Sequence, residues 1–267
     1  MKNRLRTLLT ASRPACGAFV TLRDPAVLEI VALAGFDFAM IDLEHTSISL
    51  ESLEDLLRAA QAHDLGVLVR VPDVDPKFIL RVLDIGTEGI LIPHVRGVET
   101  VQTAVSAVRY PPIGHRGFYG AARAADYSAH GLGTNRELAQ ELNKSVVLGI
   151  LLEDQEAIAE ADTIVATPGI DFVIVGPADL SASLGLLDTK KHPSIGAAIE
   201  RVRDAARRSG VALCLPVEHA TYPLTAAEAT KMGAQLMLAG LDRGLLLGGF
   251  RSVRERLRTE EGALPKQ

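Results

Sequence analysis

The sequence has few cysteines and no apolar run long enough to cross a membrane. Its 267 residues include two cysteines, Cys16 and Cys214, each inside an apolar run. Isolated cysteines in a long chain are typical of buried thiols in a reducing compartment. Every apolar run falls short of the ~18 residues that indicate a span, and the first apolar segment is too interrupted for a signal peptide. We expect a cytoplasmic protein that binds no membrane.

An excess of basic residues is also missing. The chain has 28 Lys and Arg against 33 Asp and Glu, a formal net charge of −5. Nucleic-acid binders usually carry a basic face, so we expect no nucleic-acid partner. The sequence contains no P-loop, zinc-finger spacing, HExxH or GxSxG, and no GxGxxG follows its first apolar run.

What the sequence does contain is an alternation of short apolar runs with amphipathic segments. The continuous runs predict eight strands buried on both faces, as in a parallel sheet, over residues 17–21, 38–42, 67–71, 89–93, 146–151, 172–175, 211–216 and 235–239. Apolar spacing predicts helices over residues 50–63, 98–108, 195–208 and 224–232. This order favours an α/β fold, a single-domain (β/α)8 TIM barrel, over an open doubly wound sheet.

One long irregular stretch interrupts the alternation. Residues 110–135 contain Pro111, Pro112 and five glycines. Loops of that length in compact domains are usually functional or mobile. We interpret this stretch as an active-site insertion over the mouth of the barrel.

Polar residues cluster where predicted strands end. Barrel active sites form at the C-terminal ends of the strands. Four strands there deliver ionisable side chains: Asp42, Glu44, His45, Arg70, Glu153 and Asp179.

Glu153 and Asp179 are candidate metal ligands. Two carboxylates leave positions of an octahedral ion open for water and substrate, which suits Mg²⁺ or Mn²⁺. The alternative is that both stabilise helix N-termini.

His45 and Arg70 are candidate catalytic residues. His45, beside Asp42 and Glu44, suits acid–base work, although a hydrogen-bonded core histidine is the alternative. Arg70 lies in an apolar strand, where it either pairs structurally or binds a carboxylate or developing enolate oxygen. His94, His115 and His219 are weaker candidates.

The placement of the lysines argues against Schiff-base chemistry. None of the seven lysines lies within a predicted strand. An enzyme that forms a Schiff base in a barrel needs a desolvated lysine inside it. The pattern therefore favours a metal-based enolate mechanism.

Several motifs together carry a family resemblance. From about residue 17 to 251 the chain resembles the HpcH/HpaI aldolase family of class II pyruvate aldolases. The matching segments are FAMIDLEH (38–45), VRVP (69–72), LDIG (83–86), IPHV (92–95), RYPP (109–112) and GPADLS (176–181). GPADLS after an apolar strand is the most diagnostic of them.

The resemblance implies a reaction. It implies reversible cleavage of a 4-hydroxy-2-keto acid to pyruvate and an aldehyde, with a divalent ion on Glu153 and Asp179; Mg²⁺ or Mn²⁺ is expected first, and Co²⁺ and Zn²⁺ are alternatives. Arg70 would stabilise the enolate oxygen, and His45 would act as acid–base, oriented by Asp84. The resemblance further implies that the backbone N–H groups of Ala178 and Asp179 bind the substrate carboxylate. It also implies that Asp42 and Glu44 support the site residues.

The resemblance also has a departure and a quaternary implication. Leu151 stands where the family commonly has glutamine, which puts the acceptor preference in doubt. The family implies a homo-hexamer made of dimers. The last helix, about residues 241–255, fits either a helix exchanged between subunits or one that packs on its own barrel.

Two other hypotheses stay open. One is a different enolate reaction at the same site, such as a citramalyl-type lyase or an oxaloacetate decarboxylase. The other is a non-catalytic barrel that binds a keto acid. The intact set of Glu153, Asp179, Arg70 and His45 weighs against the second.

Overall fold

The computed structural model describes residues 3–129 and 135–263 and shows a closed barrel of eight parallel strands. Each strand pairs with the next in the chain, and β8 pairs with β1. The strands are β1 (Ala15–Val20), β2 (Phe38–Asp42), β3 (Gly66–Arg70), β4 (Gly89–Ile92), β5 (Val147–Leu152), β6 (Phe172–Val175), β7 (Ala212–Pro216) and β8 (Leu236–Leu241). The predicted TIM barrel is confirmed, and each predicted strand is found within two residues of its expected ends.

Apart from α1, which precedes β1, the helices follow strands, and most of them pack on the outside of the barrel. They are α1 (Arg4–Leu8), α2 (Ala26–Leu33), α3 (Leu50–Ala62), α4 (Pro76–Asp84), α5 (Val98–Val108), α6 (Asn135–Ser145), α7 (Gln155–Ala159), α8 (Ala161–Val165), α9 (Pro177–Ser183), α10 (Pro193–Ser209), α11 (Ala226–Lys231) and α12 (Asp242–Ala263), with a 3-10 helix at Arg123–Ser128. The four predicted helices correspond to α3, α5, α10 and α11.

Two apolar cores hold the barrel together. One fills the space between the strands and the surrounding helices, and the other fills the barrel interior. In the interior, the rings of Phe38 and Phe172 lie against Gly17 and Gly149 of the adjacent strands, so closely that a Cβ at either glycine would collide with the ring. The pairs are in register, Gly17 with Phe38 and Gly149 with Phe172. The missing side chains of the two glycines therefore leave the space that the two large rings occupy.

The N-terminal end of the barrel is closed by α1. Leu5 is fully buried in the interior core. The carboxylate of Glu88 accepts hydrogen bonds from the backbone N–H groups of Arg4 and Leu5, each at 3.0 Å. The barrel interior is therefore accessible only from the C-terminal ends of the strands, as far as the described residues show.

The long segment after α5 lies at this closed end. Arg116 donates to Asp84 at the end of α4 (2.7 Å), and Arg123 donates to the carbonyl of Ile85 (2.9 Å). A helix of the barrel ends on the side where the next strand begins, so the end of α4 lies at the N-terminal ends of the strands. The described part of the segment, residues 110–129, contacts this end. The expectation that it covers the mouth of the same barrel is therefore wrong for these residues. Residues 130–134 of the predicted insertion lie outside the described residues.

The last helix, α12, leaves the barrel surface. Asp242 anchors its start, because its carboxylate accepts hydrogen bonds from the backbone N–H groups of Thr21 and Leu22 (2.7 and 2.8 Å). Beyond that anchor the described side chains of α12 are exposed. No helix in the described part of the chain has the length and apolar character needed to cross a membrane.

Candidate active site

A cavity of about 670 Å³ opens at the C-terminal ends of the strands. Three of the six side chains singled out at strand ends line this cavity, because all strands of a parallel barrel end on the same side. Its polar lining includes His45, Arg70, Asp179 and His219. Apolar residues make up much of the remaining wall.

Arg70, at the end of β3, is held by two carboxylates from the end of β2. Its Nε donates to Oδ1 of Asp42 at 2.8 Å, and Oε2 of Glu44 lies 3.1 Å from the same nitrogen. Asp42 is 1% exposed and also accepts from the backbone N–H groups of Glu44 and His45. Asp42 therefore fixes both the arginine and the turn that carries His45.

The contacts of Nε with Asp42 and Glu44 leave the terminal nitrogens of Arg70 available to bind a ligand in the cavity. The terminal Nη groups of Arg70 donate no hydrogen bond to a described residue, and Arg70 lines the cavity. Burial alone would lower the pKa of Arg70, but the hydrogen bond to Asp42 and the charges of Asp42 and Glu44 raise it above its ordinary value. Arg70 is therefore a permanent cation that faces the cavity.

Glu153 and Asp179 form a second charged group. Glu153 follows β5 and is 3% exposed, and Asp179 lies in the first turn of α9. Burial, followed by the charges of Asp179 and Glu44, raises the pKa of Glu153 to about 7. A Cβ at Gly176, the residue that precedes α9, would lie 2.7 Å from Oε2 of Glu153, so the Glu153 carboxylate lies beside the start of the helix that carries Asp179.

The donor set fits a divalent cation. Oε2 of Glu153 makes no hydrogen bond to a described residue, and a cation would offset both the burial and the neighbouring negative charges that raise the pKa of Glu153. The described residues contain no group of three or more His, Cys, Asp or Glu that could hold a metal ion. Two protein carboxylates with open positions resemble sites that bind a metal together with its substrate.

Sequence reasoning underrated His94, which directly follows β4 and Pro93. Its backbone N–H donates to Oε1 of Glu153 (2.8 Å), and its Nδ1 lies 3.1 Å from the same oxygen. Its Nε2 lies 3.0 Å from Oε1 of Glu44. The imidazole thus connects the Arg70 cluster with Glu153. The rule that polar residues at strand ends reach the site applied to His94 as well.

His45 lines the cavity but does not contact Asp84. Its side chain is 59% exposed, and its Nε2 lies 3.5 Å from Oε2 of Glu44. Asp84 ends α4 and pairs with Arg116 at the closed end of the barrel. Within one chain, therefore, the expectation that Asp84 orients His45 is not met, because a nine-residue helix separates Asp84 from the rim.

The start of α9 and the turn after β7 complete the rim. The backbone N–H groups of Ala178 and Asp179 donate to no described residue, since they lie in the first turn of α9 and no side chain caps this helix. His219 also lines the cavity, and its Nδ1 accepts a hydrogen bond from the backbone N–H of Thr221 (3.2 Å). Burial lowers the pKa of His219.

The chain resembles known proteins over nearly its whole length. The family model for HpcH/HpaI aldolase/citrate lyase matches residues 15–246. A 5-keto-4-deoxy-D-glucarate aldolase from Shigella boydii is 33% identical over 257 residues, which cover 96% of this chain and 95% of the relative. These matches support a carbon–carbon lyase.

Solved structures agree. An HpcH/HpaI aldolase/citrate lyase family protein from Burkholderia cenocepacia J2315 is 31% identical with a TM-score of 0.86, over 96% of this chain and 100% of that one. The citrate synthase SbnG is 28% identical with a TM-score of 0.84, over 98% of this chain and 99% of that one. The chain therefore belongs to the HpcH/HpaI aldolase/citrate lyase family.

Proposed function

We propose that this protein is a divalent-metal-dependent aldolase that reversibly cleaves a 4-hydroxy-2-keto acid to pyruvate and an aldehyde. The observation that carries the proposal is the placement of Arg70, whose terminal nitrogens donate no hydrogen bond to a described residue, and of the carboxylates of Glu153 and Asp179 at one end of one barrel. A cation, an arginine and backbone donors together suit a 2-keto acid, whose carboxylate and keto oxygens need positive partners.

Glu153 and Asp179 would hold the ion, with Mg²⁺ or Mn²⁺ expected first and Co²⁺ and Zn²⁺ as alternatives. When bound, such an ion supplies a Lewis acid beside the 2-keto oxygen. The carboxylate-only donor set favours a hard cation. The neighbouring acidic residues Asp42 and Glu44 are already paired with Arg70, so they support the arginine and leave the cation to the other two carboxylates.

The substrate carboxylate would accept hydrogen bonds from the backbone N–H groups of Ala178 and Asp179, which donate to no described residue. Arg70 would then direct its Nη groups to the 2-keto oxygen, where negative charge develops as the C3–C4 bond breaks. In the cleavage direction, His45 accepts the proton of the C4 hydroxyl, the C3–C4 electron pair moves into the pyruvate enolate, and the aldehyde leaves. Protonation at C3 then yields pyruvate.

A Schiff-base mechanism finds no support at this site. Of the described residues that line the cavity, none is a lysine. Treatment with borohydride in the presence of pyruvate is therefore expected to leave the protein mass unchanged, and a covalent pyruvyl adduct in the mass spectrum would contradict the proposal.

A second candidate is another enolate reaction at the same site. The alternatives are a citrate-type or citramalyl-type reaction and the decarboxylation of oxaloacetate. The similarity to the citrate synthase SbnG, at 28% identity, supports this second candidate. All of these share an enolate that Arg70 can stabilise. They differ in the partner of the enolate, so product analysis with pyruvate and aldehydes, and separately with oxaloacetate, distinguishes them.

The direct test is a screen of pyruvate with a panel of aldehydes, run with and without EDTA. Aldol products in the presence of Mg²⁺ or Mn²⁺, lost with EDTA and restored by excess metal, are expected. Full activity of the metal-stripped enzyme would refute the metal assignment. Activity only on oxaloacetate would favour the second candidate.

We also propose that the protein works as a homo-oligomer, a hexamer made of dimers. Apolar side chains of α12 are left in solvent in the single chain: Leu245, Leu246, Leu247 and Phe250 are 61%, 48%, 51% and 72% exposed. Such a patch on one helix indicates an interface. An α12 that packs against a second copy would cover it.

A further inference from the structure

The cavity is divided between a charged wall and an apolar wall. His45, Arg70 and the start of α9 lie at the strand ends of β2, β3 and β6, where the pyruvate half would bind. The remaining wall is formed largely by Leu151, Ile174, Val217, Leu238 and Ala239. The aldehyde-derived half of a substrate must therefore lie against mostly aliphatic side chains.

In the described part of the single chain, no lysine or second arginine lines the part of the cavity that would hold this second half. Among the described residues that line the cavity, Arg70 is the sole arginine or lysine, and the proposed function assigns it to the 2-keto oxygen. The other charged group of the lining outside the pyruvate half is the acidic Glu218. A second carboxylate on the substrate would be desolvated without a partner and repelled by Glu218, which is costly in a site of this kind.

One neutral donor stands in this wall. The Nδ1 of His219 accepts the N–H of Thr221, so the neutral ring carries its proton on Nε2. Burial of the ring, which lowers its pKa, favours that neutral form. The side chain lies on the turn directly after β7 and lines the cavity together with Val217 and Ala220. His219 can therefore donate a single hydrogen bond to a hydroxyl or carbonyl oxygen.

We propose that the acceptor is an uncharged, short aldehyde with an aliphatic or singly hydroxylated chain, and that His219 selects the hydroxylated form by donating to its oxygen. This inference rests on the proposed aldolase function. It narrows the substrates to monocarboxylic 4-hydroxy-2-keto acids, and it makes His219 a residue that determines specificity rather than one that performs the proton transfer.

The charge preference is tested with matched aldehydes in the metal-loaded enzyme. Butanal and succinic semialdehyde have the same number of carbons and differ by a terminal carboxylate. With pyruvate and Mg²⁺, kcat/KM is expected to be more than about 10-fold higher for butanal, because the carboxylate lacks a partner. Equal or better use of succinic semialdehyde would overturn the inference and would mean that a cation reaches the cavity from elsewhere.

The role of His219 is tested with a second matched pair, glycolaldehyde and propanal, which differ by a hydroxyl in place of a methyl. In His219→Phe the ratio of kcat/KM for glycolaldehyde to that for propanal is expected to fall about 2- to 10-fold, the worth of one neutral hydrogen bond. His219→Gln, which keeps an N–H donor, should recover part of the ratio. His63→Phe, on the exposed end of α3, is the matched control. An unchanged ratio in His219→Phe would refute the role of His219.

Deuterium exchange at C3 of pyruvate separates this inference from the proposed function. Exchange needs only the pyruvate half of the site. Metal-dependent exchange without condensation of butanal, propanal or glycolaldehyde would overturn the inference and leave the enolising function intact. Absence of both exchange and condensation would refute the proposed function itself.

Discussion

The backbone N–H of His94 donates to Oε1 of Glu153 at 2.8 Å, while the imidazole of His94 also contacts Glu44. His94 has a φ of 50°, a left-handed conformation that a residue other than glycine seldom adopts. Backbone strain of this kind persists where the surrounding structure requires it. Here the conformation brings both the N–H and the ring of one residue to the same carboxylate.

We predict that His94 positions Glu153 for the cation. In His94→Asn the left-handed backbone is tolerated, but the shorter amide cannot reach both Glu44 and Glu153. Loss of such a supporting contact is expected to weaken Mg²⁺ affinity about 10- to 100-fold. Isothermal titration measures the affinity, with His63→Asn as the control. Unchanged affinity in His94→Asn would show that the contact has no positioning role.

The metal ligands are tested by removing one charge at a time. Glu153→Gln and Asp179→Asn should each abolish turnover and Mg²⁺ binding while the circular dichroism spectrum stays the same, because each variant keeps the side-chain volume and loses an anionic ligand. Glu156→Gln, an exposed change in α7, should behave as the parent protein. Turnover retained in both ligand variants would refute the assignment.

The pH dependence of cation binding follows from the Glu153 pKa of about 7. A protonated carboxyl cannot bind the ion, so the apparent Mg²⁺ affinity should fall as the pH drops below about 7, by up to tenfold for each pH unit. Titrations at several pH values check this. An affinity that does not change between about pH 5.5 and 7.5 would contradict it, and Glu156→Gln should keep the parent profile.

Glu153 should also affect the stability of the metal-free protein, and this effect should depend on pH in the direction opposite to that of the Mg²⁺ affinity. The folded-state pKa of Glu153 is raised from 4.5 to about 7, so the folded state binds a proton that the unfolded state has lost in this interval. The free energy of unfolding should therefore decrease as the pH rises through that interval. Thermal melting in EDTA measures it, and Glu153→Gln should reduce the slope. An equal slope in that variant would rule out Glu153 as its source.

Substitutions of Arg70 and His45 should have different effects on the rates of aldol cleavage and of C3 proton exchange. If Arg70 stabilises charge on the enolate oxygen, Arg70→Ala should lower both aldol cleavage and C3 proton exchange by ~10²–10³. Arg58→Ala, on the exposed face of α3, is the control, and thermal melting checks folding because Asp42 and Glu44 lose their partner. Rates that stay intact in Arg70→Ala would leave Arg70 as a structural ion pair.

His45 is expected to act on the C4 hydroxyl, so His45→Ala should lower aldol cleavage by ~10²–10⁴ and retain part of the C3 exchange. Deuterium exchange of pyruvate followed by NMR measures the second rate. Equal loss of both rates would identify His45 as the enolisation base and refute this division of roles.

The exposed apolar residues of α12 predict that the parent protein is an oligomer and that charged substitutions in α12 dissociate it. Light scattering should give the parent protein several times the chain mass of 28.5 kDa, with a hexamer expected. Leu246→Asp combined with Phe250→Asp should lower it to the single chain, because charged residues in an apolar interface are not compensated. Gln102→Asp, on the exposed face of α5, is the control. A monomeric parent protein would refute the oligomer proposal.

The sequence by itself determined the barrel and the strand-end residues. Continuous apolar runs such as residues 172–175 can be buried on both faces only in a parallel sheet with helices on its outside, and eight of them close a barrel. Once the barrel is known, parallel strands must deliver His45, Arg70 and Glu153 to one rim. These placements follow from local patterns and chain direction alone.

Only the tertiary structure decided which residues meet across elements. Asp84 and Arg116 are distant in sequence, and their ion pair depends on how α4 and the segment after α5 pack at the closed end. The contact of His94 with both Glu44 and Glu153 likewise requires the lateral spacing of β2, β4 and β5 and one left-handed backbone conformation. Such contacts depend on distances between elements that neither periodicity nor motif spacing contains, because side-chain direction at a strand end is set by the loop that follows it.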